Sequence, residues 1–454
     1  MKNIFVSHLG SLLSKVEFYS TLMQLKYDSL WYPIDDAESK VDASIDRLYL
    51  PYFTHYQIYK IIHRLLKRYF YSIDMEKVFH ENRDYILQNK ISSSETGLMI
   101  IGSTGLGKTM LINLIIKLLG RPKLFKELNN LFHIPIIKVE TPAKCNLKQL
   151  VTNILDKIEY INNINPVDSE IDGSLPDLKR KVQTAVRTHQ IGMIIFDEIH
   201  NVSALGKNSP RKEDPKDKTE ILNFFKTFSN DLHIPIIYVG THDAETLLIE
   251  PQTSRRTAGE GKITLIEPHI SSDDPKEEAA WAFMMKNLWE IQLTNHQYPL
   301  TKEIESLYYQ KTLGIPDLIF KLHRNCLYKL IDMQSDSFKS NEITPEVVEA
   351  VSQNMPDYSE IVKSFPVQST ARKFLQYMTS LSSVTKKPKR KTANKTNTTS
   401  SDANIKPVIN FNVFEENSLI EITSNSNDPA ENLETLTKHG VIKDLDSILD
   451  KYHD

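Results

Sequence analysis

Cysteine is scarce: Cys145 and Cys326 are the only two in 454 residues. Two such residues give no disulfide framework and lack the paired spacing of a structural metal site. They fit a reducing compartment, and a cytoplasmic location is expected. No segment approaches the roughly eighteen consecutive apolar residues of a membrane-spanning helix. The opening Met1-Lys2-Asn3-Ile4-Phe5-Val6 has one early lysine and a broken apolar stretch, unlike a signal peptide, so no membrane partner is expected. An excess of one charge is also missing. The net charge of −3 does not advertise nucleic-acid binding, although a ring or filament can carry a narrow basic lining inside an acidic exterior. What the chain does have is a hydrophobic fraction of 40%, enough for a large core and roughly two or three domains.

One stretch is unusually specific. Gly102-Ser103-Thr104-Gly105-Leu106-Gly107-Lys108-Thr109 meets every position of the phosphate-binding loop G-x-x-x-x-G-K-[ST]. It lies between the apolar run Leu98-Met99-Ile100-Ile101 and an apolar helical stretch from Met110 to Leu119, ended by Gly120. Strand, glycine loop and helix are in the order the loop requires. Glycines let the backbone wrap the β-phosphate, while the amides and the helix N-terminus supply positive potential. Lys108 neutralises β/γ charge and the Thr109 hydroxyl ligates Mg²⁺. The pattern predicts an ATP site, with Gly102 through Met110 against the nucleotide.

Met193-Ile194-Ile195-Phe196-Asp197-Glu198 supplies the other half of such a site, an apolar strand that ends in two carboxylates. Asp197 is expected to hold Mg²⁺ through water and Glu198 to polarise the attacking water, which makes the reaction ATP hydrolysis. Further apolar runs at Ile134 to Val139, Ile234 to Gly240 and Lys262 to Ile266 bring the strands to five, alternating with helical segments. The expected fold is α/β, a doubly wound parallel sheet that binds ligands beyond its strand carboxyl ends. Thr241 ends the fourth strand, where it either touches the γ-phosphate or lytic water or caps a helix from Asp243 to Ile249. Arg255-Arg256 precedes the last strand. It is either an arginine finger reaching a neighbouring subunit's site or a solvated basic pair.

These segments together resemble the TnsC/TniB group of AAA+ ATPases, which regulate target choice in DNA transposition. Phe196-Asp197-Glu198-Ile199-His200 is similar to that family's Walker B strand and the turn after it, and Ile221-Leu222-Asn223-Phe224-Phe225 to the helix before its sensor strand. Ile234-Pro235 through Val239-Gly240-Thr241 looks like the sensor-one strand. Arg255-Arg256 with Ala258-Gly259 falls at the family's arginine pair, and Trp281 through Asn287-Leu288-Trp289 looks like its lid-entry helix. The resemblance covers residues 45 to 330. It implies a P-loop AAA+ domain with a small helical lid, Mg²⁺ and ATP as cofactors, and a homo-oligomeric ring or filament on double-stranded DNA. It also implies contacts with a target-selection protein and, through the C-terminal tail, with transposase subunits. One departure is plain: many AAA+ lids carry an arginine shortly after a glycine, whereas Gly314-Ile315-Pro316-Asp317 has none, leaving Lys321 or Arg324 as substitutes. The loop from Thr141 to Asn146 and the helix with Lys179, Arg180 and Lys181 lie where TnsC-like rings line their channel. Lys144 and Lys148 are the first candidates for sequence-independent phosphate contacts; exposed lysines on a helix are the alternative.

The expected organisation begins with an N-terminal extension over 1–50, its aromatics Phe18, Tyr19, Trp31 and Tyr32 docked on the core. A helical N-terminal part over 51–95 follows, with an amphipathic helix from Tyr56 to Tyr71. The nucleotide-binding domain spans 96–270, the helical lid 271–355 and a helical extension 356–382. Lys386-Lys387-Pro388-Lys389-Arg390-Lys391 opens a basic linker over 383–410 that is too polar to pack and is expected to be disordered. The tail over 411–454 carries ten Asp/Glu against three Lys, a balance of −7, with apolar clusters that suit a motif folding on a partner. Two other classes share parts of this pattern. A replication-type AAA+ loader or initiator usually adds a winged-helix domain, for which residues 355–454 are too polar. A non-catalytic interaction protein would bind ATP only structurally, and Glu198 argues against it.

Overall fold

Runs such as Leu-Met-Ile-Ile and Ile-Ile-Tyr-Val have no polar face, so they are stable only where both faces of a sheet are covered. The computed structural model describes residues 3–28, 36–73, 75, 97–128, 130–143, 146–162, 173–204, 223–225, 228, 232, 234–248, 259–270, 275–293, 297–335 and 342–355. In it β1 (Leu98–Ile101) is followed by a short antiparallel hairpin, β2 (Lys123–Phe125) and β3 (Leu131–His133). Then come β4 (Ile136–Glu140), β5 (Met193–Asp197), β6 (Ile236–Gly240) and β7 (Lys262–Thr264). All strands but the hairpin form one five-stranded parallel sheet in the order β4-β5-β6-β1-β7, the doubly wound arrangement expected from the sequence. Every residue of β1, β5 and β6 is buried. β4 and β6 begin one residue after Pro135 and Pro235, not at the isoleucines before them. Proline cannot donate to a ladder, but both proline carbonyls accept, from Gly192 N at 3.0 Å and Ile194 N at 3.3 Å. Register aligns Ile101 with Gly240 and Glu140 with Asp197, which brings the ends of β1, β5 and β6 to one edge.

The N-terminal segment is more ordered than its mixed composition suggests. It holds α1 (Ile4–Leu9), α2 (Lys15–Asp28), α3 (Ala37–Arg47) and α4 (Phe53–Tyr71). Asn3 caps α1 by accepting from Phe5 N and Val6 N, and Asp36 with Ser39 forms a capping box on α3. α4 starts three residues before the expected Tyr56. Phe18 stacks on Tyr59 with ring centroids 4.5 Å apart, and Tyr19 Oη donates to Tyr52 O at 2.8 Å. Phe5, Phe18, Tyr19 and Leu22 join the core beneath the sheet, while Val41 and Ile45 of α3 join a separate cluster. Trp31 and Tyr32 lie outside the described residues.

Around the sheet run α5 (Lys108–Leu119), α6 (Leu147–Ile161), α7 (Leu175–Thr188) and the one-turn α8 (His200–Ala204). Gly120 closes α5, its N–H donating to Ile116 O, and Asn146 caps α6 by accepting from Gln149 N at 2.8 Å. The helix expected from Asp243 to Ile249 is instead a 3₁₀ helix, His242–Leu248, because Ala244 N donates to Thr241 O three residues back. β7 ends at Thr264, short of the expected Ile266. Beyond it stand α9 (Pro275–Trp289), α10 (Lys302–Thr312), α11 (Pro316–Ser335) and α12 (Pro345–Ser352), packed around Trp281, Leu288, Tyr308, Ile319 and Leu322. No helix among the described residues is long and apolar enough to cross a membrane. The expected helical extension, basic linker and acidic tail, from 356 onward, lie outside the described residues.

Candidate nucleotide site

The loop between β1 and α5 is shaped by its glycines. A Cβ on Gly102 would meet Leu106 Cδ1, Leu265 Cβ and Leu265 O at 3.1 Å. Gly105 and Gly107 have φ of 86° and 78°, left-handed values that favour glycine. α5 then starts at Lys108, so its first amides face the loop where an anion gains from them. Lys108 is buried, and its Nζ donates to Gly102 O and Ser103 O, both at 2.8 Å. Burial pulls its pKa down, and the charges of Glu198, Asp197 and Glu267 oppose that shift. Ser103 Oγ donates to the buried Glu267.

The two halves predicted from sequence meet here. Thr109 Oγ1 donates to Asp197 Oδ2 at 2.9 Å, and Asp197 Oδ1 accepts from Glu198 N at 3.0 Å. Asp197 is only 1% exposed and is balanced by Lys138 Nζ at 3.5 Å. A hydroxyl and a carboxylate oxygen this close form an oxygen donor set of the kind Mg²⁺ takes, with the remaining positions left to phosphates and water. The residues present therefore fit Mg²⁺. No cluster of three His, Cys, Asp or Glu side chains suited to a metal occurs among the described residues.

Glu198 and Thr241 border the same cavity of about 1010 Å³, together with the loop, Asp46, Tyr52, Asp317 and Phe320. Glu198 is 46% exposed, and its Oε2 lies 3.2 Å from His200 Nε2. Thr241 Oγ1 is buried and makes no hydrogen bond among the described residues, so the threonine does not cap the following turn with its side chain and instead borders the cavity.

A backbone hydrogen bond joins the lid to the loop. Asp317 N, at the start of α11, donates to Gly105 O at 3.2 Å. Neither expected substitute for a lid arginine borders the cavity. Lys321 pairs with Asp317 at 2.7 Å, and Arg324 pairs with Asp42 at 3.1 Å and with Asp46 of α3. Arg255, Arg256 and Lys144 lie outside the described residues. Glu260, four residues after Arg256 in sequence, is held by Arg64 and, at 3.0 Å, by Arg68. Lys148 is exposed near the start of α6. On α7, which packs against α6, Lys179 Nζ lies 5.3 Å from the Phe224 ring and Arg180 is 3.7 Å from Asp177.

Sequence reasoning missed Lys138, Glu267 and Asp46. A charged residue inside an apolar strand, as in Ile-Ile-Lys-Val, was the available signal for Lys138. The others come from segments whose distance along the chain hides their position.

Residues 69–260 match the family model described as the bacterial TniB protein. Comparison with curated proteins finds none that matches. Among solved structures, the chain is similar to Cdc6p from Pyrobaculum aerophilum at 15% identity, with 72% of this chain and 74% of that one covered and a TM-score of 0.41. It is similar to the Aeropyrum pernix ORC2 protein at 13% identity, 75% and 83% coverage and 0.40, and to the Aeropyrum pernix ORC1 protein in complex with DNA at 12%, 67% and 68%, and 0.39.

Proposed function

We propose, from the match of residues 69–260 to the TniB family model, that this chain is an AAA+ P-loop ATPase and an ATP-dependent regulator of DNA transposition. The observation that carries the reading is the meeting of Thr109, Asp197 and Glu198 beside Lys108, with Thr109 Oγ1 2.9 Å from Asp197 Oδ2. In this reading Lys108 and the amides from Gly102 to Met110 bind the triphosphate, and Thr109 and Asp197 hold Mg²⁺, which neutralises charge on the phosphates. Glu198 orients the lytic water and takes its proton, and Thr241 Oγ1 contacts the γ-phosphate or that water. Arg255 or Arg256 completes a neighbouring subunit's site, so bound ATP favours a homo-oligomeric ring or filament. That assembly surrounds duplex DNA through sequence-independent phosphate contacts at Lys144, Lys148, Lys179 and Arg180. It links a target-selection protein to the transposase, the latter through the acidic tail, and hydrolysis dismantles it. The organisation that goes with this is a nucleotide-binding domain over 96–270 and a lid over 271–355, in a cytoplasmic protein.

The test is electron microscopy of the protein with duplex DNA, with a slowly hydrolysed ATP analogue and with ADP. Rings or filaments should form with the analogue alone and should be lost in Arg255→Ala/Arg256→Ala. Glu198→Gln should abolish turnover and leave assemblies that persist in ATP. Protein that stays monomeric off DNA in both nucleotides would overturn the assembly reading.

A further inference from the structure

β4 carries a lysine between buried apolar residues, and the strand beside it gives the reason. Ile137 and Val139 are buried. Lys138, between them, turns to the other face of the sheet and borders the cavity together with Thr109, Glu198 and Thr241. Its Nζ lies 3.5 Å from Asp197 Oδ2, and its side chain is 14% exposed. Asp197 Oδ1 accepts from Glu198 N at 3.0 Å, whereas Oδ2 accepts from Thr109 Oγ1 at 2.9 Å. Lys138 therefore shares the carboxylate oxygen that joins Thr109 in the donor set suited to Mg²⁺. A carboxylate as buried as Asp197 needs a counter-charge, and Lys138 supplies it. The pair is loose, since a charge-assisted hydrogen bond runs to about 2.7–2.9 Å. Lys108 likewise rests on the protein, with its Nζ on Gly102 O and Ser103 O.

We propose that Lys138 is a second phosphate-binding lysine, which neutralises Asp197 while the site is empty and turns to the γ-phosphate when Mg²⁺-ATP is bound. This rests on the nucleotide reading above. An ammonium and a divalent cation repel each other at one carboxylate oxygen, so Asp197 Oδ2 gives up Lys138 when it serves as a metal ligand. The bond that yields is the loose one, and the Thr109 and Glu198 contacts of Asp197 need not change. Lys138 has a flexible four-carbon stem rooted in β4, and the acceptors open to it in the cavity are phosphate oxygens. There its charge opposes the negative charge that develops on the γ-phosphate during hydrolysis. Lys108 acts on that charge from the loop and Lys138 from β4, both within one chain. Contact with ADP does not need Lys138, because the group it serves is then missing.

The experiment titrates the full chain, with Mg²⁺, against fluorescent ADP and a fluorescent, slowly hydrolysed ATP analogue. It compares the wild type with Lys138→Met, which keeps the length of the side chain without its charge, and with Lys138→Gln. Both variants should bind the analogue roughly 10- to 100-fold more weakly, the scale of a hydrogen bond to a charged group, and bind ADP as the wild type does. Equal changes for the two nucleotides, or none, would overturn the γ-phosphate contact. Scanning calorimetry without nucleotide tests the empty site. Lys138→Met should melt below the wild type and gain more from Mg²⁺ alone, because its Asp197 lacks a counter-charge. A gain from Mg²⁺ no larger than that of the wild type would overturn the exchange at Asp197. If Lys138→Met does not fold, the same measurements on Lys138→Gln decide. A wild type that binds neither nucleotide overturns the nucleotide reading itself, whereas one that binds both while the variants keep its preference overturns only the role of Lys138.

Discussion

Gly105 serves two neighbours at once. Its φ of 86° gives the loop its turn, and a Cβ there would stand 2.8 Å from Ile315 Cγ2 and 3.2 Å from Asp317 Cβ. Its carbonyl accepts from Asp317 N at 3.2 Å. Gly105→Ala therefore costs about 1–2 kcal/mol for the left-handed backbone alone and also pushes the start of α11 off the loop. We expect roughly tenfold or greater loss of ATP affinity, measured by titration with a fluorescent analogue; an unchanged Kd would show that the lid contact adds nothing. The need for glycine at 105 was legible from the motif. The contact with Ile315 was not, because nothing local in either segment marks the other. The same scale sets an acid sensitivity. His323 is fully buried, with Nδ1 2.9 Å from Tyr308 Oη and Nε2 2.7 Å from Ile291 O, and burial pushes its pKa down to about 4. Between about 6.5 and that value the unfolded chain binds a proton that the folded chain does not, so stability falls as pH falls through the window. Chemical denaturation at pH 7.5 and pH 5 should differ by about 2 kcal/mol from this group, and His323→Gln should flatten that slope. An unchanged slope would mean that other groups set it.

Elements with strong period or bounded apolar runs were readable: β1, β5 and α5 stand within two residues of expectation. The hairpin of β2 and β3 was not, since three-residue strands carry too little alternation to register. α2 was hidden for a different reason. Its buried Phe18, Tyr19 and Leu22 lie among lysine, glutamate and glutamine without a clean apolar stripe, and only packing on α5 and α4 reveals its inner face. α3 shows how an element can act outside its own neighbourhood. Its Asp42 and Asp46 hold Arg324 of α11, and Tyr328 Oη donates to Asp42 Oδ1 at 2.5 Å. These groups are about a quarter to a third exposed (24% and 31–32%), so solvent screens the pairs and Arg324→Ala should cost about 1 kcal/mol or less of stability. Its larger effect should fall on the lid. Proteolysis between α3 and α4 is expected to quicken severalfold in Arg324→Ala without Mg²⁺-ATP; wild-type protection would show that the apolar contacts of Val41 and Ile45 suffice.

Across the whole molecule two apolar clusters meet along one cavity. Phe5 to Leu265 fill the cluster under the sheet, and Val41, Ile45, Leu50 and α9–α12 fill the other. The N-terminal segment belongs to both, and the cavity between them is bordered by Asp46 and Tyr52 on one side and the phosphate-binding loop on the other. A ligand that touches both units stabilises them together. At about 100 times its Kd it adds about 2.7 kcal/mol to whatever unfolds with the site. Scanning calorimetry should therefore show a slowly hydrolysed ATP analogue with Mg²⁺ raising the transitions of core and lid jointly. Lys108→Ala should remove the shift in both, because Lys108 is buried in the loop with its Nζ on the carbonyls of Gly102 and Ser103. Arg324→Ala should instead leave the core shift intact and reduce that of the lid. Equal core and lid shifts in Arg324→Ala would mean that the lid follows the core without any part played by the α3 anchor.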